Sequence, residues 1–411
     1  MKYTIGELAD IIDGDRGKNY PQQHEFSEEG YCLFLNTGNV TRSGFSFESN
    51  QFISKEKCDM LRKGKLSRND IVYTTRGTVG NAAFYSESVP YEHVRINSGM
   101  VIIRPNEEIV STRLLYQILK SDYYRPYFKK YCTGSAQPQL PIKNFSKIEL
   151  DLPELANQQR IADILSAYDD LIENNQKQIK LLEEAAQRLY KEWFVDLRFP
   201  GHENTPIIDG VPQGWGKTSF SEIFSFVRGK SYTSKELSEN DGILMVNLKN
   251  IRSFGGYKRN AEKRFTGTYK EEQLLAGGDV VMGVTDMTQE RRLVGHVALI
   301  PSFNEKVTFS MDLIKLIPYS VTKNYLYCTM QYGGYSEQIA PLANGVNVLH
   351  LKPEAMMKME MLVPNELVMR EFDIKFEAIR LKIEALEKQC DLAAQARERL
   401  LPKLMNGELE V

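Results

Sequence analysis

Two stretches of the chain repeat apolar residues in steps of four and three. Starting at Ile161, the positions are Leu165, Tyr168, Ile172, Asn175, Ile179, Leu182, Ala186, Leu189 and Trp193, which is the a/d period of a coiled coil. Adding 211 to each gives Phe372, Phe376, Ile379, Ile383, Leu386, Cys390, Ala393, Arg397, Leu400 and Leu404, a second seam with one charged member. Pro153-Glu154 and Pro364-Asn365-Glu366 sit where helices begin, with acids favoured by the helix dipole. Gly201 and Gly407 lie where left-handed caps would end them. Pro402 lacks an N–H and crowds the preceding turn, so the second helix is expected to stop or kink near Leu401. At 1.5 Å per residue, helices of about 40 residues run roughly 60 Å. Asn175 has two readings in this apolar seam: it fixes the register at a cost in stability, or its amide reaches water at the seam edge.

The rest of the chain alternates short β-type runs (31–35, 71–75, 100–104, 243–246, 280–284, 296–300, 313–317) with helical patterns at 112–122 and 324–331. This part repeats as well. Arg16-Gly17-Lys18 recurs as Arg228-Gly229-Lys230, and Asn36-Thr37-Gly38-Asn39-Val40 as Asn247-Leu248-Lys249-Asn250-Ile251. Val79-Gly80-Asn81-Ala82-Ala83 matches Val294-Gly295-His296-Val297-Ala298. The fold class expected is a tandem repeat of α+β or α/β globules, 1–152 and 217–363. Each is followed by a long helix (153–198 and 364–411), and a turn-rich linker, 199–216, separates the two repeats. The first helix delivers the chain to the second globule, and the second helix starts from that globule. Paired, the two must run antiparallel, with the globules related by a pseudo-two-fold axis.

Composition narrows the function. The 411 residues carry a net charge of −2, so any nucleic-acid reader here must use a local patch. The globules are slightly basic (+2 for 1–152, +1 for 200–363) and the helical segments acidic (−3 for 153–199, −2 for 364–411). No run of about 18 apolar residues suits a membrane span, and the first residues lack the apolar stretch of a signal peptide. Cys32, Cys58, Cys132, Cys328 and Cys390 form no Cys-x-x-Cys pair, which points to a reducing cytoplasm.

Chemistry is sparse. His24, His93, His202, His296 and His350 show no metal-ligand spacing. The segment 210–218 misses a phosphate-binding loop, because Val211 stands where glycine is needed. The sequence contains neither a nucleophile elbow nor a Gly-x-Gly-x-x-Gly fingerprint. Asp70 and Asp279, at matching strand starts, read either as catalytic carboxylates of a DNA-cleaving enzyme or as turn chemistry. What remains is polar, planar side chains in Gly-rich loops. Arginine pairs with guanine and Asn or Gln with adenine through two hydrogen bonds in the major groove, while Lys holds phosphates. The candidates are Arg16, Lys18, Asn36, Asn39, Arg42, Arg76, Thr78, Gln137 and Gln139 in the first globule. In the second they are Arg228, Lys230, Asn247, Asn250, Arg252, Thr288, Arg291, Arg292 and Asn347. Asn36 and Asn247 equally suit capping of strand ends.

Several strings together resemble the specificity (S) subunit of type I restriction-modification systems. They are Gln158-Gln159-Arg160-Ile161-Ala162-Asp163-Ile164-Leu165, Arg188-Leu189-Tyr190-Lys191-Glu192-Trp193-Phe194, Arg76-Gly77-Thr78-Val79-Gly80 and Thr285-Asp286-Met287-Thr288-Gln289. To these add Gly134-Ser135-Ala136-Gln137-Pro138-Gln139-Leu140 and Lys403-Leu404-Met405-Asn406-Gly407-Glu408. The resemblance implies two target-recognition domains, each reading half of a split site in double-stranded DNA, spaced by the two helices. It also implies two methyltransferase (M) subunits docked on those helices and restriction (R) subunits joining them. S-adenosylmethionine, ATP and magnesium would then bind the partners, leaving this chain non-catalytic. The second helix opens with Glu366-Leu367-Val368-Met369-Arg370-Glu371 in place of the Gln-Gln-Arg-Ile-Ala string, so its M contacts are expected to differ. A coiled-coil adaptor that never touches DNA is the third reading.

Overall fold

The computed structural model describes residues 1–134 and 137–410; Ser135, Ala136 and Val411 lie outside it. The chain forms two compact units, Met1–Asn175 with Gln389–Val411, and Gln176–Lys388. Each long helix therefore contributes to both units.

In unit 1, an antiparallel sheet runs in the order Ala9–Asp13, Met100–Pro105, Ile71–Thr74, Ala82–Phe84. Its middle strands are apolar at successive positions because both faces are covered. Ile71, Tyr73, Val101 and Ile103 point into a core shared with Leu114 and Ile118 of helix Thr112–Lys120. Val72, Met100 and Ile102 point the other way, into a core with Leu33, Leu35 and Val94. That second layer is a sheet in which Cys32–Leu35 pairs antiparallel with Phe52–Ile53 and parallel with Val94–Ile96.

Unit 2 repeats the plan. Its sheet runs Phe224–Arg228, Leu313–Pro318, Val280–Gly283, Val297–Leu299. Val280, Met282, Ile314 and Leu316 face the core of helix Lys323–Tyr332, while Val281 and Leu313 face a second layer built around Ile243–Val246. As in unit 1, that layer contains one parallel pair, Ile243–Val246 with Val307–Phe309. Strand by strand, the sequence repeat is a structural repeat. One string is misaligned, however. The pairings Asp13↔Val101 and Arg228↔Ile314 make Gly14 the counterpart of Gly229, not Gly17. Backbone crowding explains the shared glycine: a Cβ at Gly14 would stand 2.2 Å from the Asn97 carbonyl oxygen, and one at Gly229 2.0 Å from that of Ser310.

The long helices span Leu155–Tyr190 and Glu366–Met405. Every a/d position of both seams is buried or half-buried, and within each unit the helix segments run antiparallel, Asn175 meeting Gln389 and Asp169 meeting Arg397 in unit 1 and Tyr190 meeting Phe372 in unit 2. Asn175 is 3% exposed and donates to Gln389 Oε1 at 3.2 Å, so its amide is inside the seam. Trp193 lies just beyond the first helix, in a π-helical turn Lys191–Val195, and is buried there. The helix does not stop at Pro402 but continues to Met405. Leu401 and Leu404 are buried in the unit 1 core, and their burial outweighs the roughly 3 kcal/mol cost of an interior proline. The 199–216 linker is not free chain either. Phe199 and Trp215 are buried in the unit 2 core, and Ile207–Ile208 pairs with Val211–Pro212.

Charged contacts complete each helix junction. In unit 1, Asp169 of the first long helix accepts from Lys120 and Gln117, both at 2.6 Å, and pairs with Arg397 of the second. Burial pushes the Lys120 ammonium down to about 8, with Asp169 offsetting part of that loss. Above pH 8 the folded protein has released this proton while the unfolded chain holds it up to its ordinary value of 10.5, so stability gains from this group as pH rises through that window. Chemical denaturation of wild type and a Lys120→Met variant between pH 7 and 10 checks this. The stability difference should shift toward wild type above pH 8, and a flat difference would contradict the burial.

Candidate nucleic-acid interface

In unit 1 five loops converge at one edge of the central sheet. Asp15 closes the 14–18 loop, its carboxylate accepting from Gly17 N at 2.8 Å and Arg62 N at 2.7 Å. Those N–H groups, Gly17 first, hold the carboxyl below its usual range. Arg16 reaches Asp13 at 3.2 Å and the Ser98 carbonyl at 3.3 Å, with its side chain 45% exposed. The N–H groups of Thr75 and Arg76 donate to the Gly99 carbonyl at 2.9 and 3.1 Å. Leu140 N donates to Thr75 O at 2.9 Å, and Thr133 bridges to Gln139, which brings in the loop carrying Gln137. A Cβ at Gly99 would touch Thr37 Cγ2, so the 36–39 turn adjoins the same edge. Lys18, Arg76, Thr78, Gln137 and Gln139 are exposed there; Arg42 is exposed as well, but it pairs with Asp122 at 3.6 Å.

Unit 2 builds the matching edge. Lys230 N donates to Phe309 O at 2.7 Å and Met311 N to Lys230 O at 2.9 Å. Val284 N donates to Asp312 O, and Leu351 N to Val284 O, each at 2.8 Å; the second bond is the counterpart of Leu140–Thr75. The loop after the third sheet strand is longer here, and Asp286 folds it. Its buried carboxylate accepts from Thr288 N at 2.8 Å, Leu293 N at 2.6 Å and Val294 N at 3.3 Å. Burial opposes the charge, but these donors win and keep the carboxyl low. Arg292 and Asn347 are exposed, while Lys230, Thr288 and Arg291 are half-buried.

Four candidates need correction. Asn39, Asn247 and Asn250 are buried, at 2%, 4% and 0% exposure, and cannot reach a base edge. Each repeat uses its asparagine pair to fold a 3₁₀ turn. Asn36 accepts from Gly38 N and Asn247 from Lys249 N, while Asn39 and Asn250 accept from the N–H of Asn36 and Asn247. The amide of Asn39 also ties down Ser46 and Ser49, and that of Asn250 ties Lys258 and Glu262. The capping reading is therefore the one that holds for Asn36 and Asn247. Arg252 faces the long helices, pairing with Glu183 at 3.0 Å and Glu387 at 3.5 Å. Arg228 ends a sheet strand and pairs with Glu354 at 2.8 Å, but stays exposed.

The paired aspartates are structural. Asp70 is 1% exposed and holds Arg104 through two bonds of 2.8 Å while capping Ser67 N. Asp279 pairs with Lys323 at 2.6 Å and caps Ala276 N. Among the described residues no group of three His, Cys, Asp or Glu converges as a metal would require.

Three exposed residues at the unit 2 edge were not anticipated: Met287, Met311 and Val346, 78%, 52% and 87% exposed. Their signal was an apolar residue amid polar loop neighbours, as in Asp286-Met287-Thr288 and Gly345-Val346-Asn347.

Comparison with known proteins agrees with this architecture. Residues 1–184 match the type I restriction modification DNA specificity domain. The chain is 26% identical to the type I restriction enzyme MjaIX specificity subunit of Methanocaldococcus jannaschii, over 84% of this chain and 78% of that one. It is 21% identical to the HindI specificity subunit of Haemophilus influenzae, over 96% and 98%. A crystal structure of the type I restriction-modification S subunit from M. genitalium shares the fold with a TM-score of 0.55 and 16% identity, covering 98% of this chain and 96% of that one. With its duplicated loop edges and its paired long helices, this chain is similar along most of its length to type I restriction-modification specificity subunits, and its first 184 residues match their DNA specificity domain.

Proposed function

We propose that the chain reads a bipartite target in double-stranded DNA, one half-site per globule, and scaffolds the subunits that act on it. The observation that carries this reading is the duplicated edge of converging loops, with Arg16 and Arg76 exposed in unit 1 and Arg292 and Asn347 in unit 2. Guanidinium and amide groups on rigid backbone are what major-groove readout requires. Two M subunits dock on the long helices and R subunits join them, working in the cytoplasm. The methyl donor, ATP and magnesium bind those partners, and this chain contributes recognition and assembly without catalysis. Neither other reading gains support: Asp70 and Asp279 are committed to ion pairs, and an adaptor without DNA contact leaves the exposed arginines unexplained.

Arg76 packs its backbone into the edge and leaves its side chain in solvent. Arg76→Ala should cost about 1–3 kcal/mol of discrimination at one base pair of one half-site and leave the other half-site unchanged. Mapping methylated adenines in cells carrying the whole system reads this directly, and an unchanged target would remove Arg76 from the interface.

The helices also act as a ruler between half-sites. Inserting four residues into each, between Asn175 and Gln176 and between Lys388 and Gln389, adds roughly 6 Å of helix, close to two base pairs at about 3.4 Å each. The methylation map of that variant should show a gap about two base pairs longer. An unchanged gap would refute the ruler.

A further inference from the structure

The two edges share a scaffold but differ in surface chemistry. At the unit 1 edge the exposed groups are charged or polar apart from Met60, whose carbonyl accepts from Asn19 at 3.2 Å. At the unit 2 edge Met287, Met311 and Val346 stand exposed. Hydrogen bonds gather them: Gln289 Nε2 donates to the Val346 carbonyl at 3.0 Å, Met311 N to that of Lys230 at 2.9 Å, and Thr285 Oγ1 to Asp312 at 3.0 Å. The backbone between them is held in restricted conformations. Arg291 is strained at φ 52°, while Gly345 turns where only glycine fits, since a Cβ there would stand 1.9 Å from the Val348 carbonyl oxygen. Single exposed apolar side chains are ordinary, but three on one ordered edge beside Arg292 and Asn347 are not explained by packing.

Only one group in the major groove rewards such side chains: the C5-methyl of thymine. We propose that unit 2 reads thymine methyl groups through Met287, Met311 and Val346, so that its half-site is selected for A·T pairs by apolar contact while unit 1 selects mainly through hydrogen bonds. The inference rests on the DNA-reading function above and adds which chemical feature each half recognises. Met287 and Met311 suit it because an unbranched thioether adapts to a methyl at little conformational cost.

Uracil in place of thymine removes that methyl and nothing else. Binding of the assembled S–M complex is measured on duplexes carrying uracil at each thymine of its target in turn, for wild type and for the Met287→Ala, Met311→Ala, Val346→Ala triple variant. Wild type should bind about four-fold more weakly for each contacted methyl lost, at positions confined to one half-site. The triple variant should assemble with M and lose that sensitivity. Two results overturn the inference while leaving DNA reading intact: indifference of wild type to uracil, or a triple variant as sensitive as wild type. A triple variant that no longer assembles with M would overturn it too, by placing these residues against protein. Wild type that binds target and scrambled duplex equally would sink the underlying reading itself.

Discussion

The apolar stripe of each long helix is buried twice, on one flank by the other helix and on the other by a globule. In unit 1, Ile161, Ala162 and Leu165 share a single core with Leu114 and Ile118 of the globule and with Leu401 and Leu404 of the second helix. In unit 2, Ala186, Tyr190 and Trp193 share one with Tyr325, Leu326, Phe372 and Phe376. Rotating either helix by one residue, about 100°, would expose both contacts at once. The orientation of each reading edge on its helix segments is therefore set by hydrophobic packing. The ion pairs add selectivity to that packing: Lys120–Asp169–Arg397 in unit 1, Arg252 with Glu183 and Glu387 in unit 2.

Polar residues divide into two kinds that look alike in a sequence. Asparagines 39 and 250 satisfy buried backbone groups and fold the turn that positions their neighbours, where an unpaired amide would be costly. Arg76 and Arg292 have no such duty and remain in solvent. A duplicated domain keeps the first kind because its scaffold needs it, and is free to vary the second. The Asn-x-x-Asn repeat between the halves is thus a mark of shared construction, and the differing loop tips are the place to look for differing specificity.

The long helices were legible in the sequence because a 4-3 spacing is a one-dimensional signal that survives without tertiary knowledge. The strands at 71–74, 100–105 and 280–283 were legible for a similar reason, as apolar runs between turn residues. A stop at Pro402 was wrongly expected because its local cost is visible in the sequence and the burial of Leu401 and Leu404 is not. The Arg-Gly-Lys match misled because letters were aligned where the backbone demands glycine at Gly14 and Gly229. In the candidate interface, the loops were found but their side chains were sorted wrongly at Asn39, Asn247, Asn250 and Arg252. Burial depends on which loop lies across which, and no spacing rule encodes that.

The central claim is that two kindred edges, each locked to its own stretch of a shared helix pair, read one divided target. Methylome sequencing of a host carrying the intact, unaltered system tests it most directly. The account predicts adenine methylation at a single motif made of two short specified blocks separated by a constant number of unspecified base pairs. One uninterrupted block, or blocks whose separation varies from site to site, would contradict it.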